Sequence, residues 1–400
     1  MSTASPLPPL APRVDPTTPQ LDGYHLVASD EFSGALDRRL FLDDYLPHWS
    51  TGATKTDYDV VDGHLRLVMR QDREEWDPVY DSGMRISSVQ TYERNDLHRW
   101  TNYPGTARDV PTFRGHLQKY GHFELRARMA VGGGSHCAWW MIGANQDQPE
   151  GAGVIGRESG EVDIFEVLGK DRATGGAFSV HVWKDYFGLL PLKQSFVLPD
   201  GAGFADDFHV FEFDWDAHGM KMAIDGRMVA STRMTVGYPM MTLLGIYDNT
   251  KGGWTGPYDP TVPYPKYFEI DYFRAYQKTP TLPYELTVAD GYLRGQTRSD
   301  RWVTRWLGGD GNDATLANVW VPEDGEYTLT FNYRCAGPRS FRVLVAGLVE
   351  AEIKGVSNGT FTGSFSQLPI RVRLSAGVNS ITVDNPDGPA PDFGNLRVDY

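Results

Sequence analysis

Glu161, Asp163 and Glu166 place three carboxylates within six residues, separated only by the apolar side chains of Val162, Ile164 and Phe165. Carboxylates crowded onto one surface repel one another, so such a row is disfavoured unless it has a task. Cleavage of a glycosidic bond is one. A retaining glycosidase needs two carboxyl groups roughly 5 to 5.5 Å apart, one ionised as nucleophile and one protonated as acid. The outer pair, Glu161 and Glu166, can lean together over the shorter Asp163. The alternative is a solvated acidic strand edge, and the interleaved apolar residues argue against it because they ask for burial on the far side.

The segment must then be a strand with one irregularity. Side chains alternate along a strand, so Glu161 and Asp163 share a face while Glu166 falls on the other. A bulge at Ile164 or Phe165, where two residues count as one, returns Glu166 to the acid face and sends Val162 and the bulged apolar residues into a core. Short alternating runs at 64–70, 123–129 and 208–215 recur between Gly and Pro turn signals, which predicts an all-β fold. No long segment carries helical periodicity; one short helical piece is expected around 36–40.

The 400 residues predict two or three domains. A net charge of −14 without any Lys/Arg run argues against nucleic acid as partner and suits a neutral polymer. Cys137 and Cys335 fall in different predicted domains, so no disulfide framework is expected. Residues 1–20 carry six prolines between Pro6 and Pro19 without a basic start or a continuous apolar core, and read as a flexible tail rather than a signal peptide. No apolar run approaches the roughly 20 residues of a membrane span. His136, His181 and His209 lack metal-ligand spacing, which argues against zinc. Gly252-Gly253 is followed at once by Trp254 and by no helical pattern, so it is not a phosphate loop. A monomer is expected.

Lys278-Thr279-Pro280-Thr281-Leu282-Pro283 breaks the pattern and reads as a linker. The expected division is a tail over 1–20, a first domain over 21–277, a linker over 278–284 and a second β-sandwich over 285–400, the last from runs at 318–321, 327–333, 341–345 and 379–383.

The acidic segment resembles the E-x-D-x-x-E signature of glycoside hydrolase family 16, the laminarinase, lichenase, agarase and carrageenase group. Further motifs resemble that family in its order: Asp30-Glu31-Phe32, Asp62-Gly63-His64-Leu65, the strand 82–88 opening on Ser82-Gly83, the strand 120–128 opening on Tyr120-Gly121, the strand 207–215 with Asp225-Gly226, and the closing strand 268–276. The resemblance implies a concanavalin-like β-jelly roll and a retaining endo-hydrolase without a catalytic cofactor. Glu161 would be the nucleophile, Glu166 the acid and then base, and Asp163 the residue that orients and tunes them. It also implies export from the cell, with a cytoplasmic location as the alternative because no signal peptide is visible.

Neighbouring residues take candidate roles from the same likeness and from strand alternation. Trp139 and Trp140 present opposite faces, one to the core and the other as a stacking platform for a sugar. His181 is expected to touch substrate or Asp163, with Trp183 beside it. Arg85, Tyr247, Asn249 and Trp254 are the remaining candidates for the cleft. The strand Ser135-His136-Cys137-Ala138-Trp139 lacks the first Trp and the Pro of the family's W-P-A-x-W. The first expectation for substrate is a β-1,3-glucan of the laminarin type. Alternatives are a β-galactan (agar-, carrageenan- or β-1,3-galactan-like) or transglycosylation; a non-catalytic glycan binder is weaker because all three acids remain. A sulfated chain would ask for cations in the cleft, for which Arg85, Arg157, Lys184 and Lys251 are available.

The second domain resembles carbohydrate-binding modules of families 6 and 35, through Gly325-Glu326-Tyr327-Thr328-Leu329, Val345-Ala346-Gly347, the run 376–381 and Asp384-Asn385-Pro386-Asp387-Gly388. That resemblance implies sugar contacts from Trp302, Trp306, Tyr292, Asn385 and Asp387, and a structural calcium held through Glu285 and Asp399. A sandwich that only supports the enzyme is the other reading.

Overall fold

A computed structural model describes residues 10–50, 52–79, 81–94, 110–130, 132–145, 158–171, 174–182, 185 and 189–400. Contacts divide the chain into two units, and the later break falls between Lys278 and Thr279.

In the first unit two antiparallel sheets face each other as a jelly-roll sandwich. One has six strands in the order Leu192–Val197, Gly175–Val182, Gly160–Leu168, Ser135–Gly143, Met240–Asn249 and Met84–Gln90. The other has eight, centred on Gly121–Ala130 and Lys266–Lys278. Alternation fills the space between them. Trp139, Phe165, Phe178, Phe211 and Phe273 are essentially inaccessible, and the rings of Phe165 and Phe211 lie 4.4 Å apart. Burying a large apolar side chain is worth about 1.5–3 kcal/mol, so these rings fix which face of each strand turns inward.

Family-like motifs mark the joints. Asp62-Gly63 and Asp225-Gly226 all adopt positive φ and close tight hairpins, the conformation that Asp-Gly pairs tolerate best. Asp30 accepts from the amides of Phe32 and Asp37 at 2.9 Å each, and Glu31 is held by Arg274 through contacts of 2.8 and 2.7 Å. The expected helix at 36–40 is instead a turn, in which the amides of Leu40 and Phe41 both bond to the Asp37 carbonyl. The described helical pieces are 3-10 turns at Gly169–Asp171, Pro199–Gly201 and Val288–Asp290. No helix among the described residues is long and apolar enough to cross a membrane.

The second unit is a separate β-sandwich. A six-stranded sheet built on Asp392–Asp399 and Gly325–Arg334 packs its apolar face on a five-stranded sheet built on Ala314–Val321 and Gly377–Asp384. Leu329, Phe331, Val343, Phe393 and Leu396 form the centre of its core. The all-β expectation therefore holds in both units.

Candidate active site

The acidic strand is bulged. Against Ser135–Gly143, Trp139 pairs with Phe165 and Trp140 with Asp163, so Ile164 is passed over; against Gly175–Val182, Ile164 and Phe165 together oppose Phe178. Ile164 and Phe165 are both fully buried. The extra residue restores Glu166 to the face of Glu161 and Asp163, as a bulge should.

Paired residues on adjacent strands share a face, so the register lays out the cleft floor. Glu166 stands between Ala138 and Ala177, Asp163 between Trp140 and Ser179, and Glu161 between Ile142 and His181. The small Ala138 and Ala177 leave Glu166 room. A cavity of about 230 Å³ above this floor is lined by the three acids with Tyr45, Asp81, His136, Trp140, Tyr247 and Trp254 among others. The Tyr247 ring lies over Gly245, where a Cβ would come within 2.5 Å of the phenol oxygen. From there its hydroxyl accepts the Trp140 Nε1 proton at 2.8 Å.

Burial and neighbouring charge set the protonation states. Asp163 is 4% exposed, and desolvation first and the charge of Glu161 next push its carboxyl well above the usual range, against the bond to His181. His181 Nε2 lies 3.0 Å from Asp163 Oδ2, and that hydrogen bond pushes the imidazole up to about 9. Glu166 is raised too, by burial foremost and by Glu161, with Lys193 opposing. The arrangement favours the protonated form of Glu166 beside a second glutamate, which suits acid catalysis next to a nucleophile. Glu161, Asp163 and His181 also offer atoms within 4.8 Å of one another, close enough for a cation. The His181 nitrogen nearest Asp163 is the one already in contact with that carboxyl.

Trp140, Tyr247 and Trp254 line the cleft as expected, and His181 meets Asp163. Of the tryptophan pair, Trp139 is the one in the core and drops out as a sugar contact: it is fully buried between the sheets, edge-on to Phe165 and Phe273, because alternation that points Trp140 outward points Trp139 inward. Arg85 is a correction. Its strand neighbours Met84 and Ile86 face the cleft, so Arg85 turns away into a buried cluster with Asp248, Tyr264 and Lys266. Asn249 does not line the cavity; its side-chain oxygen accepts from the Lys251 amide at 3.0 Å. Trp183, Arg157 and Lys184 lie outside the described residues. Tyr45, Asp81 and His136 are cleft residues that the sequence did not single out for it, although His136 shares the parity of Trp140. Its ring stacks on Tyr247 at 4.6 Å.

In the second unit the expected sugar contacts scatter. Trp306 lines a cavity of about 510 Å³ with Arg305, Arg339, Phe361 and Asp392, whereas Tyr292 is buried and Asn385 bonds to the Pro389 carbonyl. Glu285 accepts from Asn395 at 2.8 Å and Asp399 from Arg397 at 2.9 Å; neither belongs to an acidic or His cluster among the described residues.

The two facing sheets and the carboxylate row on a bulged strand define a jelly roll of glycoside-hydrolase type. Residues 49–264, more than half of the chain, match the glycosyl hydrolases family 16, and the chain belongs to that family of retaining, endo-acting enzymes. It is similar to glucan endo-1,3-beta-glucosidase A1 of Niallia circulans, 27% identical over 220 residues, covering 53% of this chain and 30% of the relative. It is also similar to a beta-1,3-glucan-binding protein of Penaeus monodon, 30% identical over 130 residues, covering 30% of this chain and 34% of the relative. The chain thus spans about a third of the length of the curated relatives it matches. Among solved structures, a GlcNAcα1-4Gal releasing endo-β-galactosidase from Clostridium perfringens shares the fold over 92% of this chain and 98% of its own, with a TM-score of 0.58 at 21% identity.

Proposed function

We propose that the protein is a retaining endo-hydrolase of a β-linked polysaccharide, with β-1,3-glucan as its backbone. Glu161 attacks the anomeric carbon while Glu166 protonates the departing oxygen; Glu166 then takes the proton of the water that releases the glycosyl-enzyme. Asp163 and His181 position and tune the pair. The observation that carries this reading is the bulge at Ile164, which costs a regular ladder and serves to put Glu166 beside the other acids. β-1,3-Glucan is supported by the two curated relatives, one a glucan endo-1,3-beta-glucosidase and the other a beta-1,3-glucan-binding protein. A β-galactan backbone is the second reading, supported by the departure of the floor strand from the family's W-P-A-x-W, which leaves His136 lining the cavity.

We also infer that the second unit binds glycan at the Trp306 cavity. Trp306 sits at φ 54 with 42% of its surface exposed, a strained backbone holding an apolar ring in water. Arg305 and Arg339 beside Asp392 add the polar groups that hydroxyls need.

The test is product release from laminarin, mixed-linkage glucan, agarose, carrageenan and β-galactans, with Glu161→Ser as control. Cleavage of one polymer, abolished in the variant, supports the hydrolase and names its backbone. Silence across the panel from a folded protein would overturn the reading.

A further inference from the structure

Beyond Glu166 the cleft runs into a second groove of about 380 Å³, which shares Glu166 and Trp254 with the first. The charge changes sign between them. Every charged side chain lining the first cavity is a carboxylate, whereas the groove adds Lys170 and Lys193. Both lysines are exposed.

Lys170 is held against the groove wall, and Lys193 is placed by strand register. The stem of Lys170 lies against Gly256, where a Cβ would come within 2.6 Å of it, and Gly256 has φ +89. Its Nζ points at the Trp254 carbonyl, 3.5 Å away. Lys193 pairs with Ser179, which pairs with Asp163, so its side chain rises from the same face as the acids, two strands away. A cation near a general acid favours loss of the proton that the acid must hold, and Lys193 acts on Glu166 in that sense. An anionic substituent would gain more from it than a neutral hydroxyl does, because a hydrogen bond between two charged groups is roughly twice as strong.

We propose that this groove is a specificity subsite for a sugar unit bearing an anionic substituent, a carboxylate or a sulfate ester, held by the ammonium groups of Lys170 and Lys193. The substituent then lies toward the lysines and away from the carboxylate row, which fixes the direction in which the chain crosses the cleft. This rests on the hydrolase reading, and it narrows the substrate to an acidic polymer on a β-linked backbone.

The test is affinity electrophoresis of the full chain carrying Glu161→Ser, in native gels with laminarin, carboxymethyl laminarin, laminarin sulfate, agarose or carrageenan. The protein is itself anionic, with net charge −14, so diffuse attraction to these polymers is not expected. At least one anionic polymer should retard the protein about tenfold more strongly than its neutral counterpart, and Lys170→Ala with Lys193→Gln should remove that preference. The carboxymethyl and sulfate arms distinguish the two anions. Equal retardation by neutral and anionic polymers, or a preference that survives neutralising both lysines, overturns the subsite. Turnover by the wild-type chain is scored separately, so failure of the hydrolase reading stays distinct from failure of this one.

Discussion

His181 Nε2 stands 3.0 Å from Asp163 Oδ2, on a strand directly beside the acidic one, and this contact supplies the positive charge nearest the middle of the carboxylate row. Because the contact with Asp163 raises the imidazole from 6.5 to about 9, His181 keeps its proton throughout neutral pH. A raised histidine stabilises fully below its ordinary value and stops doing so as pH climbs through the raised one. His181→Ala should therefore lower kcat about ten- to hundredfold, the worth of one charge-assisted hydrogen bond, and shift the alkaline limb of the pH profile. A variant that loses rate with an unchanged profile would show that His181 is only structural.

Glu166 holds its proton above the ordinary carboxyl range because it is buried and faces Glu161. Activity on polymer should fall as pH rises through that raised value. Glu166→Gln should cost roughly 10²- to 10⁴-fold on polysaccharide. An aryl glycoside whose leaving group needs no proton should lose much less in the first step. Equal losses on both substrates would remove Glu166 from the acid role.

Tyr247 can reach Trp140 only because residue 245 has no side chain. Gly245→Ala should push the phenol off the Trp140 indole, at a cost of about 1–3 kcal/mol for overpacking. The expected kinetic sign is a higher KM with a smaller change in kcat, since sugar stacking is disturbed and the acids are not. An unchanged KM would mean that the Tyr247–Trp140 pair does not shape the sugar platform.

Trp306 exposes its indole in a unit with its own core, so its removal should leave cleavage of soluble polymer intact. Trp306→Ala should weaken pull-down on insoluble polysaccharide about tenfold, a typical share for one stacked ring. Undiminished pull-down would assign the cavity to another ligand.

Much of this was legible because strands alternate. The bulge followed from asking three acids to share one face, and the same count separates Trp140 from Trp139. Applied to residues 84–86, it would also have withdrawn Arg85 from the cleft, since Met84 and Ile86 occupy that face. Tyr45 and Asp81 were beyond such counting: they come from segments outside the six-stranded sheet, and tertiary packing alone brings them to the acids. Lys193 was hidden differently, since its place depends on the register of two further strand pairs.

Arg85, Asp248 and Lys266 form the buried counterpart of the cleft, on the opposite side of the strand that carries Tyr247. Asp248 is inaccessible, with Lys266 at 3.1 Å and Ser135 donating at 2.8 Å. Burial alone would raise its carboxyl, but the hydrogen bonds from Tyr264 and Ser135 and the charges of Lys266 and Arg85 hold it below the usual range. A depressed carboxyl stabilises the fold above its ordinary value and ceases to as pH falls through the depressed one, so this cluster should fail only in acid. Asp248→Asn leaves two cations buried without their anion, which should cost about 3–5 kcal/mol in the urea transition of the first unit. Because the same strand presents Tyr247, KM should rise as well. A loss below about 1 kcal/mol would mean that Tyr264 and the Gln71 carbonyl already satisfy the guanidinium, and that the carboxylate is dispensable.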